Sequence, residues 1–573
     1  MISFSSLRIL IFTTLLFVDA TRQSNVEILT KSDLFIPLEQ PTEPKVLFNT
    51  NLDESDAEYW KRDAQNYLKN VIDGPKKERV EKMKQKKAKN IILFLGDGMS
   101  LATVAAARMY LGNENKQLSF EQFSHFGLSK TYCVDKQVAD SACSATAYLS
   151  GVKANYGTMG LSAKVPINDC KGQNDPTKQT VSIAKWAQDQ CKDTGLVTNA
   201  KVTDASPGGL YSHIANRNWE NDKELRKNGC DPDETLDIAR QLVENEVSKK
   251  MKVVLAGGRE EFRDSSVLDE EGKPGKRGDK RDLIKEWVDS RTKQGKTQFV
   301  YDKQGLSTVA NNTEYLLGLF NNGHCPYNTV IVDKKMQKPT LTEMTEAAIK
   351  HMLKQKNDNG FFLFIEGALI DKAHHDNYAR IALDETREFA KAIALAQSIT
   401  NENETLIVVT SDHAHTMTYN GHSKRGNDVL GLSSEIAMDG LPYTTLSYAN
   451  GLGYYYTYHE NGTRIDLSNT NLSNPYHNYP ATIPLLSETH GGEDVGIYAT
   501  GPKSHLFVGN YEQSYIPLLM ANAAQIGPFA KENEKCYSKA PGGSTSASRI
   551  ISPNVMLLFV LLSPMILSKI IRS

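Results

Sequence analysis

Along the middle of the chain, short continuous apolar runs alternate with amphipathic stretches. NIILFLGDG (residues 90–98) is apolar until Gly and Asp stop it. GLVTNA (195–200), KVVLAGG (252–258), GFFLFIEG (360–367) and TLIVVTSD (405–412) have the same form. Continuous rather than alternating runs predict strands buried on both faces. EMTEAAIKHMLKQ (343–355) and DETREFAKAIALAQSI (384–399) carry the helical period. Strands alternating with helices predict an α/β fold around a mainly parallel sheet covered on both faces. Two stretches break the rhythm. Residues 259–282, charged and Gly-rich, predict a surface excursion. Residues 422–481, rich in Tyr, Gly, Asn and Ser with short alternating runs, predict a small β-rich insertion in the main domain. There is no internal repeat.

Both ends have the layout of processing segments. Arg8 precedes an apolar run at 9–18, and Ala20 offers a cleavage point, so residues 1–20 predict a signal peptide. At the other end, small residues at 542–546 lead through a polar spacer to an apolar tail at 555–567. That is the layout of a glycosylphosphatidylinositol (GPI) attachment signal, with residues 544–573 removed and 21–543 left as the mature chain. The tail is shorter than the ~20 apolar residues of a comfortable span; a short tail anchor is the alternative. Secretion puts the seven cysteines in an oxidising compartment, with at least one unpaired and no pairing chosen by composition. Glycosylation sequons start at Asn311, Asn403, Asn461 and Asn471. A net charge of −2 gives no reason to expect nucleic acid as a partner. The basic run at 74–90 reads as a solvated helix leading into a strand.

Candidate chemistry sits where the apolar runs end, the edge at which ligands bind in open α/β sheets. Asp97 follows IILFLG, Asp204 and Ser206 follow VTNAKVT, Glu366 follows FFLFI, and Asp412 and His413 follow LIVVTS. One acidic residue there is ordinarily a helix cap; several in one chain point to metal ligation. In EGALIDKAHH, Asp371 and His375 are four apart and share a helix face, while His374 points a quarter-turn away. His490 lies in SETHGGED. Histidine and carboxylate donors without nearby cysteine suit catalytic zinc. The oxygen donors Asp97, Ser206 and Glu366 suit magnesium. In VADSACSATAYLSG, Ser141 opens a small-residue helix. It reads either as a cap or as a nucleophile beside an anion site at the helix N-terminus.

GDGM, DSA, ASP, NRNW, the EG…ID…HH block, SDHAH and ETHGGED, in this order, resemble the alkaline phosphatase family over about residues 59–530. The resemblance implies a three-layer α/β/α sandwich with a crown at 422–481 and an N-terminal arm at about 58–71. It implies hydrolysis of phosphate monoesters through a phosphoserine at Ser141, by in-line displacement at two zinc ions with a magnesium site nearby. Asp371, His375 and His490 would hold one zinc, and Asp97, Asp412 and His413 the other. Asp97 would bridge to magnesium, shared with Ser206 and Glu366, and Arg217 would clamp phosphate oxygens. A Cys170–Cys230 disulfide, a homodimer and a GPI-anchored place on the outer face of the plasma membrane are also implied.

The chain departs from the family at several positions. Asp204 and Lys372 stand where animal members usually carry His, a combination found in bacterial members; they predict an ion pair, with Lys372 reaching phosphate through water. Asn321 and Lys338 replace two acidic calcium ligands, which predicts weak or absent calcium binding. His422 stands where animal members carry a tyrosine that reaches the partner's site. Whether Cys325 pairs with Cys536 stays open. A diesterase or sulfatase is disfavoured by Arg217 and by the absence of a C-x-P-x-R segment around Ser141. A catalytically silent binding protein is disfavoured by the presence of every expected ligand and of the nucleophile.

Overall fold

The computed structural model describes residues 57–72 and 75–531. The expected signal peptide, the expected C-terminal attachment segment and Cys536 lie outside the described residues.

The five apolar runs form β1 (Asn90–Gly96), β3 (Asp193–Lys201), β4 (Met251–Gly257), β7 (Phe361–Gly367) and β8 (Thr405–Thr410). They join β2 (His125–Lys130) and β5 (Thr297–Val300), which no continuous apolar run announces, and β6 (Tyr315–Leu319), whose short apolar run YLLGL is fully buried. After β8 come seven short strands: β9 (Ala414–His415), β10 (Met417–Tyr419), β11 (Leu432–Ile436), β12 (Pro442–Thr444), β13 (Leu446–Gly451), β14 (Ala481–Pro484) and β15 (His490–Gly491). The chain then returns as β16 (Val495–Thr500) and β17 (Gly509–Glu512). The main sheet has ten strands in the order β17-β2-β16-β8-β1-β7-β3-β4-β6-β5. All its pairings are parallel except those of β16 with β2 and β8.

Burial explains the continuous runs. Along β1, Ile91, Leu93 and Leu95 face one core while Ile92 and Phe94 face the other, all fully buried. Burial contributes about 1.5–3 kcal/mol for each such side chain. The helices Ser141–Ser150, Leu283–Thr292 and Ile516–Ala524 cover the first face; Leu101–Tyr110, Leu341–Lys354 and Ala379–Ile399 cover the second. The three-layer α/β/α architecture follows. The helix expected at 343–355 starts at Leu341, because Thr340 and Glu343 form a reciprocal cap. The one expected at 384–399 starts at Ala379; Asp384 lies inside it, buried and bonded to Asn328 Nδ2 at 2.9 Å.

One expectation holds only in part. Residues 259–282 are not simply a surface excursion. Arg259 and Arg277 within them are fully buried, paired with Asp269 and Asp237 at 2.9 Å. Part of the charge there goes into internal ion pairs, while 265–268 and 270–274 lie exposed. The basic run forms the helix Pro75–Gln85, and the helix Ala57–Ile72 occupies the expected arm.

The β-rich insertion is wider than residues 422–481. It holds a three-stranded sheet (β10, β13, β14) and the β11/β12 pair, and the β9/β15 ladder closes its base. That ladder sets His415 opposite His490. The chain leaves β8 and re-enters at the same edge of the sheet, so β16 must run antiparallel.

Candidate active site

The site lies beyond the carboxyl ends of β1, β3, β7 and β8. Ser141 is the first residue of its helix. The preceding residue, Asp140, caps it: Oδ1 accepts the N–H of Cys143 and of Gly157, each at 3.1 Å. Ser141 is buried, and its Oγ lies 3.2 Å from His413 Nε2. The second helix turn packs so closely on its neighbour that a Cβ added at Gly209 would meet Ala145 Cβ at 2.6 Å. Ser141, Arg217, Asp371, Lys372, His375 and His490 line one cavity of about 680 Å³. Asp97, Asp412, His413, Ser206 and Glu366 lie deeper, all 5% exposed or less.

Two clusters have the donors of metal centres. In the first, the ligand atoms of Asp371, His375, His415 and His490 lie within 4.8 Å of one another. His375 Nδ1 donates to Glu488 O at 2.6 Å and His490 Nδ1 to Ala139 O at 2.7 Å. With those protons committed, each Nε2 presents a lone pair. The two Nε2 atoms are 3.2 Å apart, and each is 3.3 Å from Asp371 Oδ1. Lone pairs converging on a carboxylate need a cation between them. In the second cluster, Asp97, Asp412 and His413 come together. Asp97 Oδ1 and Ser206 Oγ are buried without a hydrogen bond, and Asp412 Oδ2 has only His413 Nε2, at 3.1 Å. Burial raises the Asp97 pKa well above the carboxylate range, and the like charges of Asp412, Asp371 and Glu366 raise it further. Burial likewise raises Glu366, whose carboxylate accepts from Thr198 Oγ1. Orphaned oxygens and mutually repelling carboxylates fit divalent ions in both places.

At the cavity wall, Arg217 donates to Asp140 Oδ2 at 3.2 Å and to Asp204 Oδ1 at 3.1 Å. Lys372 Nζ lies 3.4 Å from Asp204 Oδ2 and 3.7 Å from Asp371 Oδ2. Burial works against the charged form of Asp204, but Lys372, His324, Arg217 and Lys201 outweigh it and hold the pKa below the usual range.

A model of the alkaline phosphatase family matches residues 88–526. The membrane-bound alkaline phosphatase of Bombyx mori is 44% identical over 485 residues, covering 83% of this chain and 86% of that one. The tissue-nonspecific isozyme of Homo sapiens is 38% identical over 516 residues, covering 87% and 94%. The chain belongs to the alkaline phosphatase family. Among solved structures, the Thermus thermophilus alkaline phosphatase aligns with a TM-score of 0.53 at 21% identity, over 78% of this chain and 93% of that one. The enzyme from the Antarctic bacterium TAB5 aligns with a TM-score of 0.52 at 21% identity, over 77% and 99%. At these identities the likeness speaks for the fold alone.

The site also contains residues that the motif reading passed over. His415 donates from Nδ1 to Glu488 Oε2 at 2.5 Å and from Nε2 to Asp371 Oδ1 at 2.8 Å. Burial disfavours its charge, yet the two carboxylates push its pKa up to about 10. Held by carboxylates at both nitrogens, the ring orients Asp371. His415 and Glu488 stand inside SDHAH and SETHGGED, so the signal was proximity to the expected ligands. Gly98 makes room for this ring: with φ at +67°, a Cβ there would come within 2.4 Å of His415 Cδ2. His374 turns away, between Thr103 Oγ1 at 3.0 Å and Tyr448 OH at 2.9 Å. Cys170 and Cys230 are joined, as are Cys133 and Cys143, and Cys325 is free and buried. Cys191 is also disulfide-bonded.

Proposed function

We propose that this phosphatase hydrolyses phosphate monoesters through a phosphoserine at Ser141, with two zinc ions and one magnesium as its metals. The observation that carries this reading is Ser141 Oγ, at a helix N-terminus, set in one cavity with Arg217 and the convergent Nε2 atoms of His375 and His490. Asp371, His375 and His490 would hold one zinc. Asp97, Asp412 and His413 would hold the second, and Asp97, Ser206 and Glu366 the magnesium. Metals bound there supply Lewis-acid stabilisation of the oxygens that enter and leave phosphorus. Arg217, aligned by Asp140 and Asp204, offers its planar fork to two phosphate oxygens. The N–H groups and dipole of the Ser141 helix favour the same dianion. Ser141 Oγ displaces the alcohol, and water then displaces Ser141 from the opposite side, so two inversions retain configuration.

Calcium is not among the metals in this reading. The buried Lys338 ammonium donates to the Glu271 carboxylate and to the Phe320 carbonyl, and a hard cation would have to displace it. We also read the chain as a GPI-anchored, glycosylated homodimer. The four sequon asparagines are exposed, and the arm helix exposes Trp60, Tyr67, Leu68 and Ile72. Among the described residues, no helix is long and apolar enough to cross a membrane.

The test is aryl phosphate hydrolysis at mildly alkaline pH, beside Ser141→Ala and beside chelator-treated protein, with metal analysis after dialysis. Turnover should fall by about a thousandfold or more with either treatment. Zinc and magnesium should be retained, and calcium should not. Full activity of Ser141→Ala would sink the phosphoserine, and stoichiometric calcium would sink the Lys338 argument.

A further inference from the structure

The Cys133–Cys143 disulfide closes a short loop, ten residues apart in sequence, on the wall of the active-site cavity. Residues 134–138 inside it are all exposed. They are held by few bonds: Cys133 N to Lys136 O at 3.1 Å, Val134 N to Ala154 O at 3.0 Å, and Tyr156 N to Asp135 Oδ1 at 2.8 Å. The next three residues are buried, and each serves the site. The Ala139 carbonyl accepts from His490 Nδ1, the Asp140 carboxylate both caps the helix and pairs with Arg217, and Ser141 supplies the candidate nucleophile. Cys143 stands two residues beyond Ser141, almost fully buried against Cys133, Ala139 and Ala154. The sulfurs are bonded to each other, so the cluster of Cys133, Asp140 and Cys143 is a staple and not a thiolate metal site.

We propose that this disulfide is a positioning device for the reaction. It clamps the exposed loop to the first turn of the helix, so that Ala139, Asp140 and Ser141 hold His490, Arg217 and the nucleophile in one register. The inference rests on the phosphomonoesterase reading above. Opening the disulfide lets the three anchors shift together, and displacements of about 1 Å at a reacting centre cost on the order of a hundredfold. None of the four cysteines lines the cavity itself; the Cys170–Cys230 bridge, whose cysteines lie far along the chain from Ala139, Asp140 and Ser141, serves as the comparison.

The test compares Cys133→Ser/Cys143→Ser with Cys170→Ser/Cys230→Ser and with wild type. Measured are kcat and KM for an aryl phosphate, the inhibition constant of inorganic phosphate, bound zinc and Tm. Both double variants should lose Tm. Only the first should lose kcat/KM, by about 10- to 100-fold, with phosphate inhibition weakened and zinc retained. If the first variant keeps kcat/KM and phosphate inhibition within about twofold of wild type, the proposal is overturned. Should that variant fail to fold, wild-type protein titrated with a non-chelating phosphine decides. The phosphine becomes its oxide, and the disulfide takes two electrons and two protons from water to give two thiols. Peptide-resolved thiol counting should show activity falling in step with the Cys133 and Cys143 thiols. Activity retained after both are reduced overturns the proposal. An inactive wild type would instead count against the phosphomonoesterase reading.

Discussion

At the residue scale, the site is a set of charges arranged to want cations. Lys372 and Arg217 are the fixed ones, and both are spoken for by Asp204. Burial opposes the charge on Lys372, yet Asp204 and Asp371 hold it protonated. Replacing it with His, whose unperturbed pKa of about 6.5 leaves it neutral at alkaline pH, removes one cation from that balance. Lys372→His should therefore weaken inhibition by inorganic phosphate several-fold and change the response to added magnesium. Inhibition curves and magnesium titrations identical to those of the wild type would remove Lys372 from the phosphate path.

At the element scale, the sheet is pinned at the edge away from the site. Lys192, 6% exposed just before β3, donates to the carbonyls of Lys89 before β1 and Asn359 before β7. Three neighbouring strands are thus tied at their starts by one ammonium. Burial, with Lys87 and Lys89 nearby, pushes its pKa down to about 8 from 10.5. Between pH 8 and 10.5 the unfolded chain then binds more protons than the folded one, so stability from this group rises with pH across that window. Wild type should gain on Lys192→Met by up to about 3 kcal/mol between those limits, since one unit is worth about 1.4 kcal/mol. Denaturant midpoints measured across the range would test it; parallel curves for the two proteins would refute it.

At the scale of the whole molecule, the expected lipid anchor and the arm helix make claims about state and place. A phospholipase specific for phosphatidylinositol should release the activity from membranes in soluble form, sedimenting at about twice the subunit mass. Activity that stays on the membrane would favour the short tail anchor instead. A subunit-sized sedimenting species would leave the apolar side of helix Ala57–Ile72 without its partner.

The five central strands, their mainly parallel arrangement and the polar residues at their ends are legible in the sequence alone. Continuous burial on both faces leaves an unmistakable apolar run, and ligands must follow where such runs stop. The outer strands escaped it: β2, second from one edge, is only half-buried and alternates without a clear apolar face, and the edge strands β5 and β17 are short. Only the tertiary structure decided that Arg259 and Arg277 lie inside, because a charged residue and its buried partner are chemically indistinguishable from a solvated pair until the chain folds. Only it chose the Cys133–Cys143 bridge among the possible pairings, and only the β9/β15 ladder brought His415 beside His490 and Asp371. Those contacts join positions far apart in the chain. No local pattern encodes them, since they arise where packed layers bring distant segments to one edge of the sheet.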